Sequence, residues 1–267
     1  MSERMSNAPV YYALAQACFN PVAAMATYIN QIQDRLRREG YPLFEKQEWM
    51  QLTMQGGAQA QPQPQRIERW LMIRSDRSAG FVIDTSAITY HTTNYQTHKE
   101  FITELLRGLG AVHEIVSLDH VSRLGLRYLD AILPQHGETV KQYLTGGVHG
   151  INSDAVCTQT MTESLFTTKT GPLVDEGNLV VRTYCRESTR LGLFPPDIRP
   201  EGLVVAPKFT IEYKDAREHA VIDTDHFVFG QMPLDMAELE KQLLSLRDAI
   251  KSVFEAVTTS HARDVWK

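Results

Sequence analysis

The 267 residues exceed the usual size of a single domain, which predicts one large domain or two closely packed halves that need no disulfide or metal staple. Hydrophobic residues make up 43% of the chain and charged ones 22%, a balance that excludes an intrinsically disordered protein. The formal net charge of -5, from 27 basic and 32 acidic residues with no concentrated run of Lys and Arg, disfavours nucleic acid as a partner.

PVYYALAQACFNPV, starting at Pro9, is dominated by aromatic and apolar residues and predicts a buried strand. Met25, Tyr28, Ile29, Ile32 and Leu36 recur at three- and four-residue spacing, which predicts a helix ended by Gly40 and Pro42. EWMQLTMQ (48–55) reads as a strand running into GGAQAQPQPQ (56–65), whose Gly, Pro and Gln content predicts an exposed loop. RIERWLMIR (66–74) and the β-branched stretch 80–93 read as two further strands joined by a turn at 76–80. Thr97 and Glu100 have capping-box spacing, with Phe101, Leu105 and Leu109 on one face of a helix predicted to end near Gly110. A strand over 121–132 (VSRLGLRYLDAI) and a short helix over 138–144 follow.

From residue 152 the chain is β-rich: AVCTQTMTESLFTT and NLVVRTYCRE read as antiparallel strands around a turn at Gly171 and Pro172. The three prolines of LGLFPPDIRPEG forbid regular structure and predict a rigid surface loop or the hinge of a flap. Residues 203–213 and 218–229 read as a hairpin turning at 214–217. Asp235, with Glu238 three residues on, caps a last helix that carries Leu239, Leu243, Leu246, Ile250, Phe254 and Val257 along one side. This order predicts an α+β protein of two packed halves, with antiparallel sheets covered by amphipathic helices. Residues 1–150 form the N-terminal α+β half and residues 151–267 a β-rich half closed by the long helix.

Cys18, Cys157 and Cys185 are odd in number and far apart, which predicts neither a disulfide framework nor a zinc knuckle and fits a reducing, cytoplasmic location. MSERMSNAPVYYALA lacks a secretory pattern and no apolar run is long enough for a membrane helix, so no membrane role is expected.

REHAVIDTDHF (217–227) concentrates two histidines and two aspartates. Strand alternation puts His219, Asp223 and Asp225 on one face and His226 on the other. Two carboxylates two residues apart can share a divalent cation, so Asp223, Asp225 and His219 are the alternative metal set, although no metal or other cofactor is the leading expectation. In RLGLRYLD, Arg123 and Arg127 share a face with Gly125 between them. They can hold an anion, or they can pair with Asp223 and Asp225 across a shared sheet, the favoured arrangement, since like charges at that spacing need neutralising. Gly125 gives room for another backbone or a ligand, or marks a bulge.

No GxSxG elbow, GxxxxGK[ST] or GxGxxG is present, so a serine hydrolase and the common nucleotide-binding folds have no anchor. The spacing of His91 and His98 suits loop and capping chemistry better than a metal site, and the cysteines and WMQLTM read as core.

PVYYALAQACFNPV, TTNYQTHKEF, RLGLRYLDAI, HAVIDTDHF and the closing helix before HARDVWK resemble, in that order and over nearly the whole chain, a sporadically distributed bacterial family catalogued without an activity. The resemblance implies a mobile or defence-associated gene and a partner encoded nearby, and it carries over no catalytic residue.

The leading expectation is therefore a non-enzymatic cytoplasmic interaction protein with a protein partner, an accessory, immunity or antitoxin-like component of a bacterial defence or stress system. Its binding surface would come from the two loops, 56–65 and 191–202. Homo-oligomerisation stays open. The alternative is a phosphate-ligand-binding protein or metal-dependent hydrolase that uses Arg123, Arg127, His219, Asp223 and Asp225.

Overall fold

A computed structural model describes residues 7–54, 62–151, 158–191 and 194–267, with the side chains of 49–54 and 62–67 outside that description. The strands are β1 (Val10–Phe19), β2 (Leu43–Met54), β3 (Pro62–Ile73), β4 (Ala79–Ile83), β5 (Ala87–Thr92), β6 (His120–Ile132), β7 (Gln159–Lys169), β8 (Glu176–Arg190) and β9 (Glu212–Pro233). The helices are α1 (Met25–Arg38), α2 (His98–Val116), α3 (Val140–Tyr143), α4 (Met236–Val257) and α5 (Ser260–Trp266). The nine strands of the described residues belong to one sheet in the order β2-β3-β4-β5-β1-β6-β9-β8-β7, and every neighbouring pair is antiparallel. The sheet is continuous across residue 150, because β6 from the first half pairs with β9 from the second.

Alternation along the strands gives the sheet two unlike faces. On one, Ala13, Ala15, Leu124, Leu126, Ile222 and Val228 are buried in the main core. The same core takes Met25, Ile29, Ile32 and Leu36 of α1, Phe101, Leu105 and Leu109 of α2, and Leu239, Leu243 and Leu246 of α4. Thr97 caps α2 by accepting from the Glu100 amide at 3.2 Å, and Asp235 caps α4 by accepting from the Ala237 and Glu238 amides.

The second face is covered over one region by residues 194–211. Phe194 packs edge-on against Tyr11 and Tyr12, and Ile198 and Phe209 join Leu129, Ala131 and Val221 in a second core. The strap is tied down at its far end, where Arg77 Nη1 donates to the Gly202 carbonyl at 2.8 Å and Thr93 Oγ1 to that of Val204 at 2.7 Å.

Several expected elements differ. The stretch 80–93 is two strands, because Asp84 accepts from the Ser86 amide at 2.7 Å and turns the chain between them. Of the expected loop at 56–65, residues 56–61 lie outside the described residues and 62–65 belong to β3. α2 runs past Gly110 to Val116. No hairpin forms at 214–217: β9 is one 22-residue strand through that point. Residues 203–211 belong to the strap, with a 3-10 turn at Pro207–Phe209, because Leu203, Val205, Ala206 and Phe209 serve the second core rather than a ladder. Within the expected loop at 191–202, residues 192–193 lie outside the described residues, and Pro195 and Ile198 are buried.

Candidate functional site

The second face of the sheet gathers the charged residues. Register sets Arg127 opposite Asp225 and Gly125 opposite Phe227, with Asp223 opposite Arg182 on β8. Arg127 is buried and turns diagonally to Asp223, donating from Nε and Nη2 to the two carboxylate oxygens at 2.7 Å each. From the strap, Asp197 takes two more hydrogen bonds from Arg127, 2.6 Å from Nη1 and 3.2 Å from Nη2. Arg182 Nη1 stands 3.6 Å from Asp223.

Burial works against the charge on Arg127, but the hydrogen bonds to Asp223 and Asp197 outweigh it and hold its proton affinity above that of a free arginine. The Arg127 hydrogen bond keeps the Asp197 carboxyl below its ordinary range. With two carboxylates on its fork, Arg127 uses four of its five donor directions.

Arg123 stands apart. Its Nη1 donates to Gln16 Oε1 at 2.8 Å, its Nη2 lies 3.9 Å from Asp225, and its guanidinium lies over the Phe227 ring at 4.6 Å. Gly125 explains how it lies there, since a Cβ at this position would sit 3.0 Å from Phe227 Cβ and 3.2 Å from Arg123 Nη1. The space belongs to a neighbouring side chain, and the register through Gly125 is regular, without a bulge. Burial pushes the Asp225 carboxyl up against the opposing pull of Arg123 and Arg127.

Arg123, Arg127, Asp223 and Asp225 thus meet on adjacent strands, as pairs. His219 does not join them: it lies four residues along β9 from Asp223, its Nδ1 is 3.1 Å from the Arg217 carbonyl oxygen, and burial lowers its pKa. Among the described residues no three His, Cys, Asp or Glu side chains are gathered so as to hold a metal ion, which leaves the set His219, Asp223 and Asp225 without convergence. His226, on the helix face, hydrogen-bonds the Leu246 carbonyl at 2.8 Å. His91 is buried with Nδ1 3.0 Å from Tyr12 Oη, and burial pushes its pKa down to about 4; His98 begins α2. Cys157 lies outside the described residues, and burial raises the Cys18 thiol.

Sequence reasoning missed Asp197, Arg182 and Gln16. Asp197 sits in a proline-rich loop with no periodicity to aim it, and the pairing of Arg182 and Gln16 depends on register, which a strand pattern alone does not fix.

Beyond this network the second face exposes individual large apolar side chains. Phe227 and Phe229 lie edge to face at 5.4 Å beside Arg123, and Phe229 is 60% exposed. In the next rows Asp225 faces Val180, and Val180 faces Leu165 of β7, itself 67% exposed. A cleft of about 280 Å³ lies elsewhere, lined by Arg74, Tyr90, Tyr95, Thr97 and Glu104, and holds none of Arg123, Arg127, His219, Asp223 and Asp225. No helix among the described residues is long and apolar enough to cross a membrane. No protein-family model matches the chain, and no curated protein matches it.

Proposed function

We propose that the chain is a non-enzymatic interaction protein that receives a protein partner on the uncovered part of the sheet's second face. The observation that carries this reading is the exposure of Phe229 beside the Arg123–Phe227 stack, with Leu165 exposed on β7 in the row of Asp225. Exposed large apolar side chains mark interaction sites, and aromatic residues with arginine are the types that dominate binding energy. The surface differs from the two loops named from sequence. The resemblance to a sporadic bacterial family supports a cytoplasmic role as an accessory, immunity or antitoxin-like component of a defence or stress system.

The rival reading, a phosphate ligand or a cation-dependent hydrolysis at Arg127 and Asp223, is weakened by the same geometry. An anion on Arg127 would have to displace Asp197, and a cation on Asp223 would have to displace Arg127.

Capture from lysate with the tagged chain and its Phe229→Glu variant tests the proposal. A stoichiometric protein retained at raised salt by the parent and lost from the variant is expected. Equal retention by both would move the partner to another surface, and no retained protein would count against an interaction role.

A further inference from the structure

Among the described residues β7 ends the sheet, so every second pair of its backbone N–H and C=O groups points away from β8 with no described strand to meet it. Edge strands of monomeric proteins are guarded by short length, a bulge, a proline or outward charge. β7 has none of the first three guards, and its two charges are opposite in sign. Its eleven residues pair with β8 without a register shift, and QTMTESLFTTK contains neither Pro nor Gly. Its only charges are both drawn back onto β8, Glu163 to Arg182 and Lys169 to Glu176, at 2.5 Å each. Met161, Leu165 and Phe166 are 57%, 67% and 44% exposed.

We infer that β7 pairs antiparallel with β7 of a second copy of this chain, about a two-fold axis through Phe166 and normal to the sheet. In that register Phe166 faces the partner's Phe166, Leu165 faces the partner's Thr167, and Glu163 faces the partner's Lys169, the last pair occurring twice by symmetry. A register about Leu165 sets Glu163 against the partner's Thr167, and one about Ser164 sets it against the partner's Leu165, so charge complementarity selects the axis at Phe166. The complementarity is of the strand with itself, which favours a second copy over a foreign peptide. Pairing in this phase keeps the second faces of both sheets on the same side, so the two proposed partner surfaces become neighbours. This inference stands on the β7 edge and is independent of whether Phe229 binds a partner.

Sedimentation of the full chain tests it, with a reversible dimer expected at about 100 μM. Glu163→Lys or Lys169→Glu alone should weaken the dimer about tenfold, and the two together should restore it. Mild oxidation of Phe166→Cys should give a disulfide-linked dimer and that of Thr168→Cys should not, because only Phe166 meets its own symmetry mate. A monomer at that concentration, a dimer indifferent to both single reversals, or cross-linking at Thr168→Cys in preference to Phe166→Cys would overturn the proposal.

Discussion

Arg127 and Asp223 are bonded across the diagonal of the sheet: strand register sets Arg127 opposite Asp225, yet its guanidinium closes on Asp223, two residues away, with two 2.7 Å hydrogen bonds. Asp223 is fully buried, so this carboxylate depends on Arg127, with Arg182 behind it, to offset the cost of leaving water. The same contact neutralises one residue of the arginine pair and one of the aspartate pair that the sequence offers as an anion or a cation site.

Removing one member should therefore cost far more than removing both. Asp223→Ala should destabilise the chain by about 3 to 5 kcal/mol by leaving Arg127 buried with only Asp197, whereas Arg127→Met with Asp223→Leu should cost much less. Asp197→Ala, at an exposed carboxylate, should cost under about 1 kcal/mol. Urea denaturation of the three variants against the parent, at a shared m-value, measures these differences.

Asp130 gives the chain a pH dependence of opposite sign to that of a paired carboxylate. It is buried on β6, its carboxyl group makes no hydrogen bond or ion pair with the described residues, and burial raises its pKa from 3.8 to about 7. Between those values the folded state holds a proton that the unfolded state has released. The contribution of Asp130 is thus greatest below pH 3.8 and is lost as pH rises to 7, by about 4 kcal/mol in all. The stability of Asp130→Asn relative to the parent should rise over that interval and level off above pH 7. A difference independent of pH would mean that Asp130 titrates as an ordinary carboxylate.

Two glycines of α2 should respond oppositely to alanine. A Cβ on Gly108 would lie 2.3 Å from Phe81 Cε1, a core ring with no room to yield, so Gly108→Ala should destabilise by about 1 to 3 kcal/mol despite its better helix propensity. At Gly110 a Cβ meets nothing within 4 Å, and Gly110→Ala should stabilise by up to about 1 kcal/mol. Thermal melts of the two variants, run side by side, check both signs.

These glycines also show why parts of the fold were hidden in the sequence. The capping residues and the spacing of Met25, Ile29, Ile32 and Leu36, or of Leu239, Leu243 and Leu246, are local signals, and α1 and α4 were legible from them. Gly110 reads locally as a stop, but Gly108 is there for Phe81, a residue of β4 whose approach no window around α2 contains. β9 was broken in error at 214–217 because that part is exposed and pairs only with β8, so it lacks the alternation that burial on one face imposes. For the charged cluster, alternation correctly put Arg123 with Arg127 and Asp223 with Asp225. The diagonal bond, Asp197 above it and the aromatic patch beside Arg123 required the register of four strands and the path of the strap.

The central claim is that Phe229 and its neighbours are covered by a protein partner, and hydroxyl-radical footprinting of the chain, free and with the captured partner bound, tests it most directly. Oxidation of Phe229 and Phe227 is expected to fall on binding while the rings lining the cleft at Tyr90 and Tyr95 react as before. Unchanged oxidation of Phe229, with protection confined to that cleft or to another surface, would contradict it.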